Sequence, residues 1–259
     1  MSYCSNDNLI IDSTIVSPNH NPRVLFLVLH YTADNLEGSL KTLATPEPPS
    51  INPVSAHYVV PETPIDNQRK VYQLVHQDQR AWHAGVSSWQ NRSNINDTSI
   101  GIEIVNLGYT DDKQGNRTWY PFPDYQIDTV IELTKNIVDL YKIIPTRVVG
   151  HLDIAPGRKV DPGPLFPWEK LHKNGIGAWF DEEEVKLSML SKKNQHIDIK
   201  QLQTNLKKYG YNIAITGALD EVTRNVIQAF QMHFRPSDYS GNPDLETIAI
   251  LENLIKKYF

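Results

Sequence analysis

Short apolar runs in the first part of the chain predict strands of a buried sheet. The strongest, VLFLVL over 24–29, is apolar on both faces and too short for a typical helix, as expected of a central strand. Further strands are predicted over three segments: 55–60, 70–75 and 99–105. In the last of these, SIGIEIV, alternation places Gly101 and Glu103 on one face and the isoleucines on the other. We therefore expect a central sheet in which Glu103 is an unusual polar residue.

A helical spacing of apolar residues marks other segments. Helices are predicted over three of them: 36–43, 124–141 and 168–172. The first would have Asp34 or Asn35 as its N-cap, and the second ends before Pro145. The stretch 111–123 is polar, is dotted with aromatic residues and is interpreted as an irregular excursion.

The composition changes over 175–195, where acidic and polar residues flank a short apolar patch. We place a domain linker there. Beyond it, three apolar stripes with helical spacing predict three helices, of which the first two end near Gly210 and Pro236. Three helices of this size form a small module that needs its own core and support from its neighbour. The predicted division is one domain over 1–180 and a helical module over 181–259.

Gly150–Pro167, which reads GHLDIAPGRKVDPGPLFP, is the most unusual segment. Its density of proline and glycine excludes a long helix and predicts a fixed loop at the surface. The loop gathers an imidazole, an ammonium group and carboxylates: His151, Asp153, Lys159 and Asp161. In an extended run, Lys159 and Asp161 would point to the same side. Such a combination favours a metal-assisted active site over a simple connector.

Composition and charge narrow the function classes. The chain of 259 residues has a net charge of −5 and no basic stripe, so nucleic acid is not an expected partner. No segment approaches the roughly 18–20 apolar residues of a membrane span. The single cysteine, Cys4, excludes a disulfide framework and a thiolate zinc site. It is either an exposed thiol or a lipid-attachment cysteine left after removal of an export signal.

The histidines and carboxylates are consistent with a zinc site that uses nitrogen and oxygen ligands. Catalytic zinc takes three protein ligands and leaves an open position for water. One candidate set is His30, at the end of the strongest strand, with His151 and Asp161 of the loop. Other combinations remain open, with three competing residues: Asp153, His57 and His83.

Glu103 and Lys159 are candidates for the chemistry itself. As a structural residue in an apolar strand, Glu103 would need a buried cation, which is costly. A general base beside a metal-activated water explains it better. Lys159 is either a solvated loop charge or a cation that stabilises an oxyanion. Surface or internally satisfied positions are expected for four other histidines: His76, His172, His196 and His233.

Several longer strings carry a family resemblance. They are VLHYTAD, SAHYVVP, AWHAGVSSW, NDTSIGIEIVN, GHLDIAPGRKVDPGPLFPW and GIGAW. These strings resemble the zinc-dependent N-acetylmuramoyl-L-alanine amidases of type 2, a family that shares its fold with phage lysozyme-type amidases and the peptidoglycan recognition proteins. In the tail, LQTNLKKYGY and VIQAFQMHFRP resemble a peptidoglycan-binding three-helix module. The resemblance implies an α/β fold with a central mixed sheet flanked by helices, followed by a small C-terminal three-helix module.

The resemblance also assigns roles to individual residues. It implies one Zn²⁺ per chain with three ligands: His30, His151 and Asp161. It makes Glu103 the acid and base of the reaction and places Lys159 next to the developing oxyanion. Three further residues are expected to contact the substrate: Tyr31, His57 and His83.

The implied reaction is hydrolysis of the amide between the lactyl group of N-acetylmuramic acid and L-alanine of the stem peptide, in cell-wall turnover or recycling. The implied partners are peptidoglycan and muropeptides, including anhydro-muropeptides, and the chain is expected to be a periplasmic monomer. Some similar proteins are outer-membrane lipoproteins. An anchor of that kind would use Cys4, and membrane contact is expected only through it. Two alternatives remain: a binding protein that does not cleave muropeptides, and a zinc peptidase that cuts within the stem.

Overall fold

The computed structural model describes four segments of the chain: 13–20, 22–45, 53–191 and 196–259. Cys4, the stretch 46–52 and the end of the predicted linker, 192–195, lie outside the described residues. Nine strands occur within the described segments: β1 (Phe26–Tyr31), β2 (Tyr58–Val60), β3 (Tyr72–Gln73), β4 (Ser88–Trp89), β5 (Arg92–Ser93), β6 (Ser99–Ile104), β7 (Tyr109–Asp111), β8 (Arg117–Trp119) and β9 (Val148–Gly150). The same segments contain eight α-helices: α1 (Leu36–Ala44), α2 (Asp124–Tyr141), α3 (His151–Ile154), α4 (Trp168–Lys173), α5 (Glu182–Ser191), α6 (Ile199–Tyr209), α7 (Glu221–Phe234) and α8 (Leu245–Tyr258).

Five strands form the central sheet, in the order β3-β2-β6-β1-β9. β1 pairs in parallel with both β6 and β9, and β2 pairs in parallel with β6. β3 is antiparallel to β2, so the sheet is mixed. The residues of β1 from Phe26 to Leu29 are completely buried, as expected of a central strand covered on both faces. The prediction of an α/β fold with a central mixed sheet is confirmed.

The central strand begins and ends later than its apolar run. The run 24–29 predicts the strand, whereas β1 continues through His30 to Tyr31. The continuation follows from strand pairing, because His30 is opposite Glu103 in β6 and Tyr31 is opposite Ile104. Pairing therefore carries a polar residue into the sheet at the point where the apolar pattern stops. β2 and β3 are shorter than predicted.

The sequence predicts neither of the two small hairpins that lie outside the central sheet. β4 pairs with β5, and β7 pairs with β8 largely within the stretch interpreted as irregular. In the second hairpin, the Arg117 guanidinium lies 3.5 Å from the centre of the Tyr109 ring and donates to the Asp111 carboxylate. Cross-strand pairs of this kind stabilise a hairpin without an apolar alternation that sequence patterning can detect.

Helices α1 and α2 lie where the sequence predicts them. Asn35 is the N-cap of α1, and its side chain accepts a hydrogen bond from the Gly38 N–H at 3.0 Å. The buried face of α2 includes Ile127, Val130 and Ile137, which belong to the predicted stripe. The exclusion of a long helix from 150–167 is confirmed, because α3 is a single turn. A short α4 follows this loop, as predicted.

The C-terminal part has one helix more than predicted. α6, α7 and α8 occupy the three predicted stripes, but α5 lies inside the stretch interpreted as a linker. α5 packs on α8, where the Asp181 N–H donates to Asn253 at 2.9 Å and Lys256 donates to Glu184 at 2.7 Å. The stretch in which the domain linker is placed therefore contains a helix over 182–191 that packs on the module. None of the helices in the described part of the chain combines the length and hydrophobicity that crossing a bilayer requires.

Candidate active site and metal centre

Three parallel strands end at one edge of the sheet, and each brings a polar side chain there. His30 lies near the end of β1, Glu103 is opposite it in β6, and His151 directly follows β9. Because β1 pairs with both of the other strands, the three side chains are neighbours at the carboxyl edge, where open α/β sheets place their binding groups. Asp161 reaches them from the loop after α3, where its carbonyl oxygen accepts from the Leu152 N–H at 2.9 Å.

The two imidazoles and the Asp161 carboxylate converge on one point. Nδ1 of His30 lies 2.9 Å from Nδ1 of His151 and 3.1 Å from Oδ2 of Asp161. Nδ1 of His151 lies 3.0 Å from the same carboxylate oxygen. All three residues are buried, and together they form a group able to hold a metal ion.

The donor types and their spacing fit Zn²⁺. In a tetrahedral zinc site with bonds of ~2.0–2.1 Å, neighbouring donor atoms lie about 3.3 Å apart, close to the separations in this group. Nε2 of His151 lies 3.1 Å from the Ala84 carbonyl oxygen, which can only accept, so Nε2 carries the proton and Nδ1 keeps a lone pair. Nδ1 of His30 faces the same point, 2.9 Å from Nδ1 of His151. The other ring nitrogen of His30, Nε2, lies 3.0 Å from Nδ1 of His83.

Burial and neighbouring charges keep two of the ligand groups, His30 and Asp161, in their metal-binding protonation states. Burial, followed by repulsion from His151, lowers the pKa of His30 to about 4. Burial alone would raise the pKa of Asp161, but His151 and His30 beside it outweigh this effect, and the pKa lies well below the usual carboxyl range. A neutral imidazole and an ionised carboxylate are the forms that bind a metal.

Glu103 points into the same site. Its Oε1 lies 4.0 Å from Nδ1 of His30, and its buried Oε2 has no hydrogen-bond partner among the described residues. Burial, and then the nearby Asp161 carboxylate, raise the pKa of Glu103 well above its usual value, against the opposing effect of Lys159. A buried carboxylate oxygen without a donor is rare in a folded protein, and the Glu103 side chain borders an open cleft.

The cleft over the ligand group has a volume of about 720 Å³. The predicted site residues that line it are Tyr31, His83, Glu103, His151, Lys159 and Asp161. Its rim carries apolar side chains that are about half exposed: Trp82 at 45%, Leu107 at 50% and Val54 at 45%. A concave site with apolar walls and a few convergent polar groups is the usual form of a pocket for an organic ligand.

Two histidines predicted to contact substrate are engaged in internal hydrogen bonds. His83 lies in the cleft wall, but its Nδ1 faces His30 and its Nε2 lies 3.1 Å from Oγ of Ser99. His57 is completely buried, its Nδ1 accepts from a backbone N–H, and its Nε2 donates to a backbone carbonyl oxygen. His57 is absent from the lining of the cleft, and its role as a substrate contact stays a prediction. His83 supports His30.

Arg158 is a site residue that the sequence reasoning missed. Its Nη2 donates to the carbonyl oxygens of Ala84 at 2.9 Å and of Val86 at 2.6 Å. Because the Ala84 oxygen also accepts from Nε2 of His151, Arg158 fixes the segment that orients this ligand. Its position beside Lys159 in the loop is the one signal that the sequence offers.

Asp153, the competing carboxylate, belongs to a different set of contacts. Its oxygens accept hydrogen bonds from the Gly150 N–H, the Tyr211 hydroxyl and Nδ1 of His233. Both oxygens are thereby used, so the carboxylate of the ligand group is that of Asp161. His233 is one of the four histidines predicted to be exposed or internally satisfied, and it is satisfied here.

Two protein families match the chain. The first covers residues 20–164, more than half of the 259 residues, and is described as N-acetylmuramoyl-L-alanine amidase. The chain belongs to the N-acetylmuramoyl-L-alanine amidase family. The second family, of peptidoglycan binding domains, covers residues 195–251, which include α6, α7 and the first part of α8. The amidase match thus contains the ligand group, and the second match lies in the helical module.

Individual amidases match different shares of the chain. N-acetylmuramoyl-L-alanine amidase AmiD of Escherichia coli (strain K12) is 44% identical over 240 residues, which are 92% of this chain and 84% of that protein. The 1,6-anhydro-N-acetylmuramyl-L-alanine amidase AmpD of Enterobacter cloacae is 42% identical over 108 residues, which are 42% of this chain and 52% of that protein.

Two solved structures share the whole architecture. The AmiD structure from E. coli, with the substrate anhydro-N-acetylmuramic acid-L-Ala-D-gamma-Glu-L-Lys, has a TM-score of 0.88 at 41% identity and covers 98% of this chain and 97% of that one. AMPDH3 from Pseudomonas aeruginosa, with anhydromuramic pentapeptide, has a TM-score of 0.86 at 42% identity, covering 96% and 99% of the respective chains. The likeness extends over the sheet domain and the helical module, in agreement with the predicted fold.

Proposed function

We propose that the chain hydrolyses the amide between the lactyl group of N-acetylmuramic acid and L-alanine of the stem peptide, using one Zn²⁺ held by His30, His151 and Asp161. The observation that carries the proposal is the convergence of the three donor atoms, which lie within 3.1 Å of one another. The unpartnered oxygen of Glu103 lies in the same site. Membership of the amidase family selects this amide among the bonds that such a site could cleave.

Glu103 is placed to move the proton that amide hydrolysis requires. When bound, zinc would supply a water of lowered pKa and polarise the amide carbonyl. The free oxygen of Glu103 is available to take the proton of the attacking water, because no other described group occupies it. The same carboxyl group then gives the proton to the amine of L-alanine, which leaves in its neutral form. Glu103 therefore acts first as a base and then as an acid.

Lys159 is placed to stabilise the charge that develops on the amide oxygen. It lines the cleft with Asp161, two residues away on the same loop. Its backbone N–H donates to the Ala155 carbonyl oxygen at 3.0 Å, which ties the loop to the end of α3. Attack on the amide carbonyl leaves a negative charge on oxygen, and a fixed cation near that oxygen lowers the barrier. We assign this role to the Lys159 ammonium group.

We infer that the substrates are muropeptides, including anhydro-muropeptides. AmiD and AMPDH3 have been solved with anhydro-muramyl peptides of different stem length, and AmpD is named after the anhydro-muramyl form. The cleft suits such molecules, because Trp82 and Leu107 offer apolar surface to a sugar ring or a methyl group. The activity belongs to cell-wall turnover or recycling.

We propose that 1–180 is the catalytic domain and that 181–259 binds the cell wall. The match to peptidoglycan binding domains supports the second role, since a wall-bound module raises the effective concentration of substrate at the cleft. An enzyme acting on this material belongs in the periplasm or at the cell wall. The monomeric state and a lipid anchor on Cys4 stay predictions.

Metal analysis and product analysis test the proposal together. The purified chain should contain one zinc ion, and the His30→Ala variant should contain far less. Incubation with anhydro-muramyl tripeptide should release the intact stem peptide with a free amino group on L-alanine, identified by mass spectrometry. Cleavage after L-alanine would instead identify a peptidase, and release of no peptide by the zinc-loaded chain would identify a binding protein.

A further inference from the structure

Asp153 connects the loop that carries two predicted metal ligands to the helical module. Its Oδ2 accepts hydrogen bonds from the Gly150 N–H at 2.8 Å and from Nδ1 of His233 at 2.7 Å. Its Oδ1 accepts from the Tyr211 hydroxyl at 2.6 Å. Gly150 belongs to β9 of the sheet, whereas Tyr211 and His233 belong to the module. A carboxylate that is only 1% exposed is therefore held by donors from both parts of the chain.

The Asp153 carboxylate closes the turn that carries His151. It accepts from the backbone one residue before His151 and lies two residues after it, in the single turn of α3. In the same turn, the Leu152 N–H donates to the carbonyl oxygen of Asp161 at 2.9 Å, which links the two ligands through the backbone. The direction of the His151 ring therefore depends on a turn whose closure uses the Asp153 side chain.

Helix α7 is fixed at two further points, one at the start of α4 and one in this loop. The His233 ring stacks on Trp168, with ring centres 3.8 Å apart and planes at 14°. At Gly157, where φ is +76°, an added Cβ would lie 2.6 Å from the amide nitrogen of Asn225 in α7. The close approach and the stacking hold the helix in register with the loop. The His233 donor is thereby held against the Asp153 carboxylate.

We propose that Tyr211 and His233 of the helical module are positioning residues for the ligand His151, acting through the Asp153 carboxylate. The inference rests on the proposed zinc site. Groups that orient a metal ligand typically change metal affinity by about 10–100-fold when they are removed. The module then has a role in the metal site that is separate from any binding to the cell wall.

The loss of either donor should affect the proposed metal site, because Asp153 is only 1% exposed and water cannot readily replace a lost donor. Removing a hydrogen bond from a buried carboxylate costs free energy. We therefore expect the remaining contacts of Asp153 to shift. One of these contacts is the Gly150 N–H, so the turn bearing His151 shifts with it. Burial, followed by the Asp153 carboxylate, raises the pKa of Tyr211 well above its usual value, so the hydroxyl remains a donor.

Two pairs of matched variants of the full chain test the inference. Tyr211→Phe removes one donor, and Tyr209→Phe is its control, because Tyr209 is 2% exposed in the same module but is not a donor to Asp153. His233→Leu removes the other donor, and His233→Asn retains an N–H in its place. Zinc affinity is measured by competition with a chromophoric chelator. The visible spectrum of the Co²⁺-substituted chain reports the ligand geometry.

Tyr211→Phe and His233→Leu should bind zinc about 10–100-fold more weakly and should alter the Co²⁺ spectrum. Tyr209→Phe and His233→Asn should stay close to the unmodified chain. Unchanged affinity and spectrum in Tyr211→Phe, which loses one oxygen and keeps the ring, would overturn the inference even if His233→Leu fails to fold. Failure of the unmodified chain to bind zinc would instead refute the proposed metal site.

Discussion

Nε2 of His30 lies 3.0 Å from Nδ1 of His83, and Nε2 of His83 lies 3.1 Å from Oγ of Ser99 at the start of β6. The proposed ligand His30 is therefore supported by a second imidazole, which is itself anchored to the neighbouring strand. A partner on the outer nitrogen of a ligand histidine fixes the orientation and the tautomer of its ring. We therefore infer that His83 contributes to the proposed metal site without being a ligand.

We expect His83→Ala to weaken zinc binding by about 10–100-fold, because the His30 ring loses the group that orients it. Competition with a chelator measures the dissociation constant. His76→Ala is the matched control, since the His76 side chain is 77% exposed and pairs with Asp78 at the surface. Equal zinc affinity in the two variants would contradict the support role.

The strand end and the ligand loop were predictable from the sequence, whereas the hydrogen-bond contact between His30 and His83 was not. The apolar run before His30 and the proline and glycine residues after His151 are local signals. The contact between His30 and His83 joins residues 53 positions apart and depends on the register of β6 beside β1. His57 and His83 were both predicted to contact the substrate, and only packing shows that one lies against His30 while the other bonds to the backbone.

Gly101 leaves the space that the His83 ring occupies. A Cβ at this position would overlap the Cγ and Cδ2 atoms of that ring. Gly101→Ala should therefore lower the free energy of unfolding by about 1–3 kcal/mol, as measured by urea denaturation of the metal-free chain. In a His83→Ala background the overlap is absent, so the same substitution should cost much less. An equal cost in both backgrounds would show that the ring is not the obstacle.

Glu103→Gln should lower kcat by about 10²–10⁴-fold, because the amide cannot accept the proton of the attacking water. The variant keeps the shape of the side chain, so its zinc content should match that of the unmodified chain. Glu62→Gln is the matched control, since Glu62 also has a buried oxygen without a partner among the described residues but lines a separate, smaller cavity. Near-normal turnover in Glu103→Gln would remove this residue from the mechanism.

Zinc should stabilise the folded chain, because the three ligand atoms are assembled only when the sheet and the loop are folded. At a free zinc concentration of about 100 times the dissociation constant, the expected stabilisation is about 2.7 kcal/mol, seen by calorimetry as a higher unfolding temperature. His30→Ala should lose most of this effect, and Lys159→Ala should keep it. A zinc effect of equal size in His30→Ala and the unmodified chain would contradict the ligand set.

The helical module also contains contacts that no local sequence pattern predicts. The stripes of α6, α7 and α8 were predicted from apolar periodicity, but α5 has a single buried residue, Val185, and forms through its contacts with α8. The donors to Asp153 are likewise remote, at 58 and 80 positions along the chain. No local pattern encodes such contacts, because they arise only when the module packs against the sheet domain.

The helical module should bind insoluble peptidoglycan independently of the cleft, as its family match suggests. The test uses the full chain carrying Glu103→Gln, so that cleavage does not release it from the wall during sedimentation with purified sacculi. Saturating anhydro-muramyl tripeptide fills the cleft and removes attachment through the active site, yet the chain should still sediment. Complete release by the tripeptide would show that the cleft is the sole attachment point. The module would then be confined to a structural role, including its contacts with Asp153.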